Sequence, residues 1–80
     1  MNCLIVGGAG FIGSHFVDEL VKCDKNYVTV IDDLSSGDMD NLKNNFDRDN
    51  FQFIKMNAKA YSDLLEYGDY DSIFLFAAKA

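Results

Sequence analysis

Glycines at positions 7, 8, 10 and 13 punctuate an otherwise apolar start, and an acidic pair, Asp32-Asp33, closes a second apolar run 19 positions beyond Gly13. The run before the glycines, Cys3-Leu4-Ile5-Val6, is short, continuous and apolar, as suits a strand buried on both faces of a parallel sheet. Downstream, Ile12, Phe16, Val17, Leu20 and Val21 recur at three-to-four spacing, with Asp18, Glu19 and Lys22 on the other side. That is the pattern of an amphipathic helix of about three turns. A polar turn, Asp24 to Asn26, leads into the β-branched stretch Tyr27-Val28-Thr29-Val30-Ile31, a second strand. Strand, glycine turn, helix, strand and acid in this order constrain the chain far more than its composition does.

The remainder continues the alternation. Asp38 to Asn50 is polar, and Leu42 and Phe46, four apart, predict a short helix or helical turn. Phe51 to Lys55 reads as a third strand. Ser62 can cap a short helix through Asp63-Leu64-Leu65-Glu66, ended by Gly68. Ser72 to Ala78 reads as a fourth strand. Four strands alternating with helices predict an α/β fold, the N-terminal half of a Rossmann-type doubly wound parallel sheet. The expected strand order is 3-2-1-4, with a ligand crevice between strands 1 and 4. Residues 1–80 are thus expected to be one part of one domain, and Ile73 to Phe76 an exposed apolar edge.

Bulk properties exclude several classes of partner. A net charge of −6 argues against nucleic acid, which needs a basic stripe, and against an anionic membrane surface. No run approaches the ~18 apolar residues of a membrane span, and no basic leader precedes the first strand, so a cytoplasmic location is expected. Two cysteines, Cys3 and Cys23, fit a reducing compartment and are expected to be buried or half-buried thiols. His15 is the lone histidine, and no metal site is expected. His15 itself and the acids from Asp38 to Asp49 are expected at the surface, and Tyr61, Tyr67 and Tyr70 as partial core or surface aromatics.

The glycine turn and the acid carry the chemistry. The open amides at a helix N-terminus attract a pyrophosphate, and side chains would hold it away. Two frames fit: Gly8, Gly10 and Gly13 as G-x-G-x-x-G, or Gly7, Gly10 and Gly13 as G-x-x-G-x-x-G. Asp32, at the end of the second strand, can accept hydrogen bonds from the hydroxyls of an adenosine ribose and would repel a 2′-phosphate. With no lysine or arginine between Asp32 and Asp40, the expected cofactor is NAD rather than NADP.

Leu4-Ile5-Val6-Gly7-Gly8-Ala9-Gly10-Phe11-Ile12-Gly13-Ser14-His15 resembles the opening of the extended short-chain dehydrogenase/reductase family, and within it the NAD-dependent nucleotide-sugar epimerases and dehydratases. Val30-Ile31-Asp32-Asp33-Leu34-Ser35-Ser36-Gly37 with Asn41-Leu42, and Ile73 to Ala80, are similar to later signatures of that group. The resemblance implies that Gly7, Gly10 and Gly13 shape the turn and that Phe11 and Ile12 offer backbone amides to the pyrophosphate. It implies further that Asp32 holds the ribose, with Asp33, Leu34, Ser35, Ser36 and Gly37 lining that pocket. Asn57 and Ala58 would border the adenine, and Phe76, Ala77, Ala78 and Lys79 the nicotinamide half. Three residues depart from the family's usual pattern: Val6 stands for threonine, Asn57 for aspartate and Leu75 for histidine.

In that family a serine or threonine and a Tyr-x-x-x-Lys pair perform proton transfer. None of the four tyrosines here has a lysine four residues on, so no catalytic residue is assigned. The resemblance therefore implies the cofactor-binding portion of an enzyme that oxidises a sugar hydroxyl transiently. The nucleotide sugar would be held by a further domain, and the full-length enzyme would be a homodimer. A non-catalytic NAD-binding module, or another reductase on the same cofactor domain, are the alternatives.

Overall fold

The computed structural model describes residues 1–35, 37–57 and 68–76. Chain order is β1 (Asn2–Val6), α1 (Phe11–Val21), β2 (Tyr27–Asp32), a 3₁₀ helix (Met39–Asn45), β3 (Phe51–Lys55) and β4 (Ser72–Leu75). The helix expected over 62–66 lies outside the described residues.

The strands form one all-parallel sheet in the order β3-β2-β1-β4, as the alternation predicted. β1 is central. Its even and odd residues supply two cores: Cys3 and Ile5 pack with Val17, Val21, Val28, Val30, Leu42 and Phe51, while Leu4 and Val6 pack with Ile31 against Ile54, Met56 and Tyr70. A strand buried on both faces has no need of polar alternation, which is why its sequence is a continuous apolar run. Register places Val6 between Ile31 of β2 and Leu75 of β4, so the C-terminal ends of the three strands form one edge. β4 bounds the sheet, and its Ile73 and Leu75 are exposed, 40% and 63%.

Two expectations need correction. Ile12, assigned to the apolar face of α1, is 72% exposed. The buried stripe is instead Gly13, Ser14, Val17 and Val21, flanked by Phe16 and Leu20. Gly13 is the point of closest approach to the strand ends, and Ile12 stands in the first turn beside it. The short helix or helical turn expected around Leu42 is present as the 3₁₀ helix, in which Leu42 is fully buried and the following Phe46 exposed. A 3₁₀ helix repeats every three residues, so a position four further on swings ~120° off the face. Asn45, three residues after Leu42, takes the inward place and donates Nδ2–H to Asp18 Oδ1 at 2.8 Å.

Cys23 supplies the second correction. The helix stops at Val21 and Cys23 falls in the following turn, exposed, while Cys3 is fully buried in β1. Burial pushes the Cys3 thiol above its ordinary pKa, so it is both inaccessible and protonated. A colorimetric thiol titration near pH 8 is expected to consume one equivalent quickly, at Cys23, and the second only as denaturant unfolds the chain. Two fast equivalents would contradict this packing.

Candidate functional site

The glycine turn leaves β1 at the C-terminal edge of the sheet and enters α1. Gly7 has φ 83°, a left-handed conformation that side-chain-bearing residues seldom adopt, and its N–H donates to the Ile31 carbonyl at 2.8 Å. Gly13 is fixed by crowding: a Cβ there would lie 2.8 Å from the Gly7 carbonyl oxygen and 3.1 Å from Gly8 Cα, both backbone atoms. Gly8 likewise faces Val30, with Cγ1 2.7 Å from the site of an added Cβ.

Gly10 differs. Its backbone is extended (φ −73°, ψ 169°), which any residue can adopt, and among the described residues an added Cβ would meet only the Gly7 oxygen, at 3.7 Å. Among the described residues neither crowding nor backbone angle requires glycine here, although glycine is a favoured N-cap. Gly10 is the N-cap of α1, no side chain caps it, and the first turn carries no acidic residue. The first amides of a helix have no intrahelical acceptor, so this end presents donors and the positive pole of the dipole to the space beside Gly10.

Asp32 stands at the end of β2, 7% exposed. Oδ2 accepts from the Ala9 amide at 3.0 Å and Oδ1 from the Leu34 amide at 2.8 Å. Each carboxylate oxygen can accept a second bond, so the pair retains capacity for hydroxyl donors. Leu34, held by that bond, has φ 65° and packs its side chain on the core. A non-glycine residue in this region is strained, and such strain gathers at functional loops. Asp33 is exposed and accepts from the Ser35 amide at 2.9 Å, while Gly37 packs against the Ala9 peptide.

Other assigned residues gather along the same edge. The Met56 amide donates to the Asp32 carbonyl at 3.1 Å, which brings Asn57, exposed, to the end of β3 beside β2. The Phe76 amide donates to the Val6 carbonyl at 2.7 Å, and its ring packs on Phe16. Phe11 and Ile12 expose their side chains, and Phe11 meets the His15 ring edge-on at 4.6 Å. Ser36, Ala58, Ala77, Ala78 and Lys79 lie outside the described residues. Two neighbours were given no role in the site by the sequence reading. Lys55 pairs in register with Asp32, and Asn41, which the family signature includes without assigning it a role, reaches the glycine turn; each is remote in sequence from the group it meets.

The turn, the helix end and the buried acid thus converge where strands diverge, the usual ligand position in an open α/β sheet. The sequence profile of the GDP-mannose 4,6 dehydratase family matches residues 4–80. The chain belongs to that family. Among curated relatives, UDP-glucuronic acid decarboxylase 6 of Arabidopsis thaliana is 47% identical over 55 residues, 69% of this chain and 16% of its own length. The chain therefore spans about a sixth of such a relative. Among solved structures, dTDP-glucose 4,6-dehydratase of Bacillus anthracis, in complex with NAD, superposes with a TM-score of 0.87 at 34% identity, over 99% of this chain and 27% of that one. UDP-glucuronic acid 4-epimerase of Bacillus cereus, also in complex with NAD, gives a TM-score of 0.85 at 32% identity, over 98% and 27%.

Proposed function

We propose that these residues bind the adenosine and pyrophosphate of NAD within an enzyme that acts on a nucleotide sugar. The carrying observation is the contrast among the glycines: packing or backbone angle accounts for Gly7, Gly8 and Gly13, whereas Gly10 is an uncrowded N-cap whose open side leaves room for a ligand at the helix amides. Phe11 and Ile12 would donate backbone N–H to the pyrophosphate, with Gly7 and Gly13 holding the turn. Asp32 would accept from the ribose hydroxyls, with Asp33, Leu34, Ser35, Ser36 and Gly37 around that sugar. Asn57 and Ala58 would line the adenine, and Phe76, Ala77, Ala78 and Lys79 the nicotinamide side. Bound NAD supplies a hydride acceptor for a sugar hydroxyl; this chain's part is to bind and orient it.

The nucleotide-sugar substrate and a homodimer contact would use surfaces other than these, and the exposed thiol of Cys23 suits the cytoplasm. Among the described residues no helix is long and apolar enough to cross a membrane. Calorimetric titration with NAD and NADP tests the reading. NAD is expected to bind about five- to thirtyfold more tightly, since a carboxylate facing a 2′-phosphate costs on the order of 1–2 kcal/mol. Equal affinity would remove Asp32 from the ribose site and point to Lys55, its register partner, as a phosphate contact. No binding of either would sink the proposal.

A further inference from the structure

We infer that Asn41 is a positioning residue that sets the geometry of the glycine turn without touching the ligand, an inference that rests on the NAD-binding reading above. Ala9 is held at both ends of its backbone. Its N–H donates to Asp32, and its carbonyl oxygen accepts from Asn41 Nδ2 at 2.8 Å and from the Asp38 amide at 3.1 Å. Two donors fill both lone pairs of that oxygen. The Ala9 carbonyl shares a rigid peptide plane with the Gly10 N–H, so fixing the oxygen fixes the direction in which the plane enters Gly10. The Gly10 amide's own bond to the Gly7 oxygen is long, 3.4 Å, and orients that plane weakly. Asn41 therefore controls the residue whose open side faces the ligand.

The local fold exists to deliver this contact. Asp38 caps the 3₁₀ helix through its Oδ1, which accepts from the Asp40 amide at 2.9 Å, and its carbonyl accepts from the Asn41 amide at 3.0 Å. Leu42, the next residue, is fully buried in the core and anchors the turn. Gly37 packs so tightly on Ala9 that an added Cβ would lie 2.8 Å from its carbonyl carbon. Asp32, Gly37, Asp38 and Asn41 thus clamp one peptide of the glycine turn, with Asn41 the side-chain donor.

Asn41→Asp tests this, because it keeps the shape, removes the donor and sets a carboxylate against the Ala9 oxygen. Asn41→Ala removes the donor with no added charge and serves should the aspartate variant fail to fold. Asn50→Asp is the control: Asn50 Nδ2 bonds the carbonyls of Val21, Cys23 and Asn26, at the opposite end of α1. Amide hydrogen exchange without ligand and calorimetric NAD affinity are measured on the full chain. Asn41→Asp is expected to speed exchange at Ala9 and Gly10 selectively and to weaken NAD about tenfold, the loss of one bond plus a repulsion. Asn50→Asp is expected to lower stability and leave NAD affinity within about twofold. Unchanged exchange at Ala9 and Gly10 in both Asn41 variants would overturn the inference. So would faster exchange spread evenly over β1 and β2, the mark of a purely structural role. If the unaltered chain binds no NAD, the functional reading fails, and the exchange measurement alone decides the clamp.

Discussion

Gly10→Ala is expected to leave the fold intact and to weaken NAD binding by ~1–3 kcal/mol, while Gly13→Ala destabilises the fold by a similar amount. The two glycines sit three residues apart in one motif, and the distinction comes from what surrounds them. At Gly13 the new methyl meets two backbone atoms, 2.8 and 3.1 Å away, which cannot move without shifting β1 or α1. At Gly10 the nearest atom is 3.7 Å away, an ordinary contact. Alanine is a poorer N-cap than glycine, but it also restricts the unfolded chain, and the two effects offset to within about 1 kcal/mol. A methyl there would occupy the approach to the helix amides. Chemical denaturation and calorimetric titration of both variants separate the cases. Undiminished NAD affinity in Gly10→Ala would show that the open space beside Gly10 is not where the phosphates lie.

The order of strands was legible because its signals are local and strong. A continuous apolar run marks a doubly buried strand, and β-branched residues mark the second. The sheet then follows from the alternation of elements. The 3₁₀ helix was less legible. Its sequence is rich in Asp and Asn, which favour caps and turns over helix interiors, so the spacing of Leu42 and Phe46 carried an α-helical period that the backbone does not adopt. Ile12 misled for a related reason. Periodicity identifies a face but not where along the helix the sheet ends, and the first turn of α1 lies beside that end.

Within the site, sequence exposed the parts that lie close together along the chain. The glycine turn and Asp32 could be matched by spacing alone. The contacts of Asn41 and Lys55 could not, although Asn41 lies in a family signature, because one joins the turn through a side-chain bond across 32 positions and the other through sheet register. Nor could sequence show that the Asp32 carboxylate, proposed for the ribose, already serves the backbone. A carboxylate at a strand end looks like a free acceptor on paper; here two amides already bind it.

That sharing changes what Asp32→Ala should do. From the motif alone the expected result is a loss of ~1.5–3 kcal/mol in NAD affinity, the usual worth of hydrogen bonds to a charged group. The structure adds a second effect. Removing the carboxylate strips the acceptor from the Ala9 and Leu34 amides, and an unsatisfied buried donor costs ~1–3 kcal/mol where water cannot replace the partner. Leu34 is then left in a left-handed conformation with one restraint fewer, and a strained residue persists only while its surroundings over-determine it. Asp32→Ala should therefore lose stability as well as affinity. Asp32→Asn discriminates between the two roles. Its amide keeps one acceptor oxygen, so it can satisfy one of the two backbone donors, but it lacks the charge that repels a 2′-phosphate. The asparagine variant is expected to retain more stability than the alanine variant and to lose much of the preference for NAD over NADP. Denaturation midpoints and titrations with both nucleotides, run below the unfolding range of the weaker variant, measure each effect separately. An asparagine variant with unaltered preference would mean that the discriminating charge lies elsewhere, and a stable alanine variant would mean that water completes the Ala9 and Leu34 bonds.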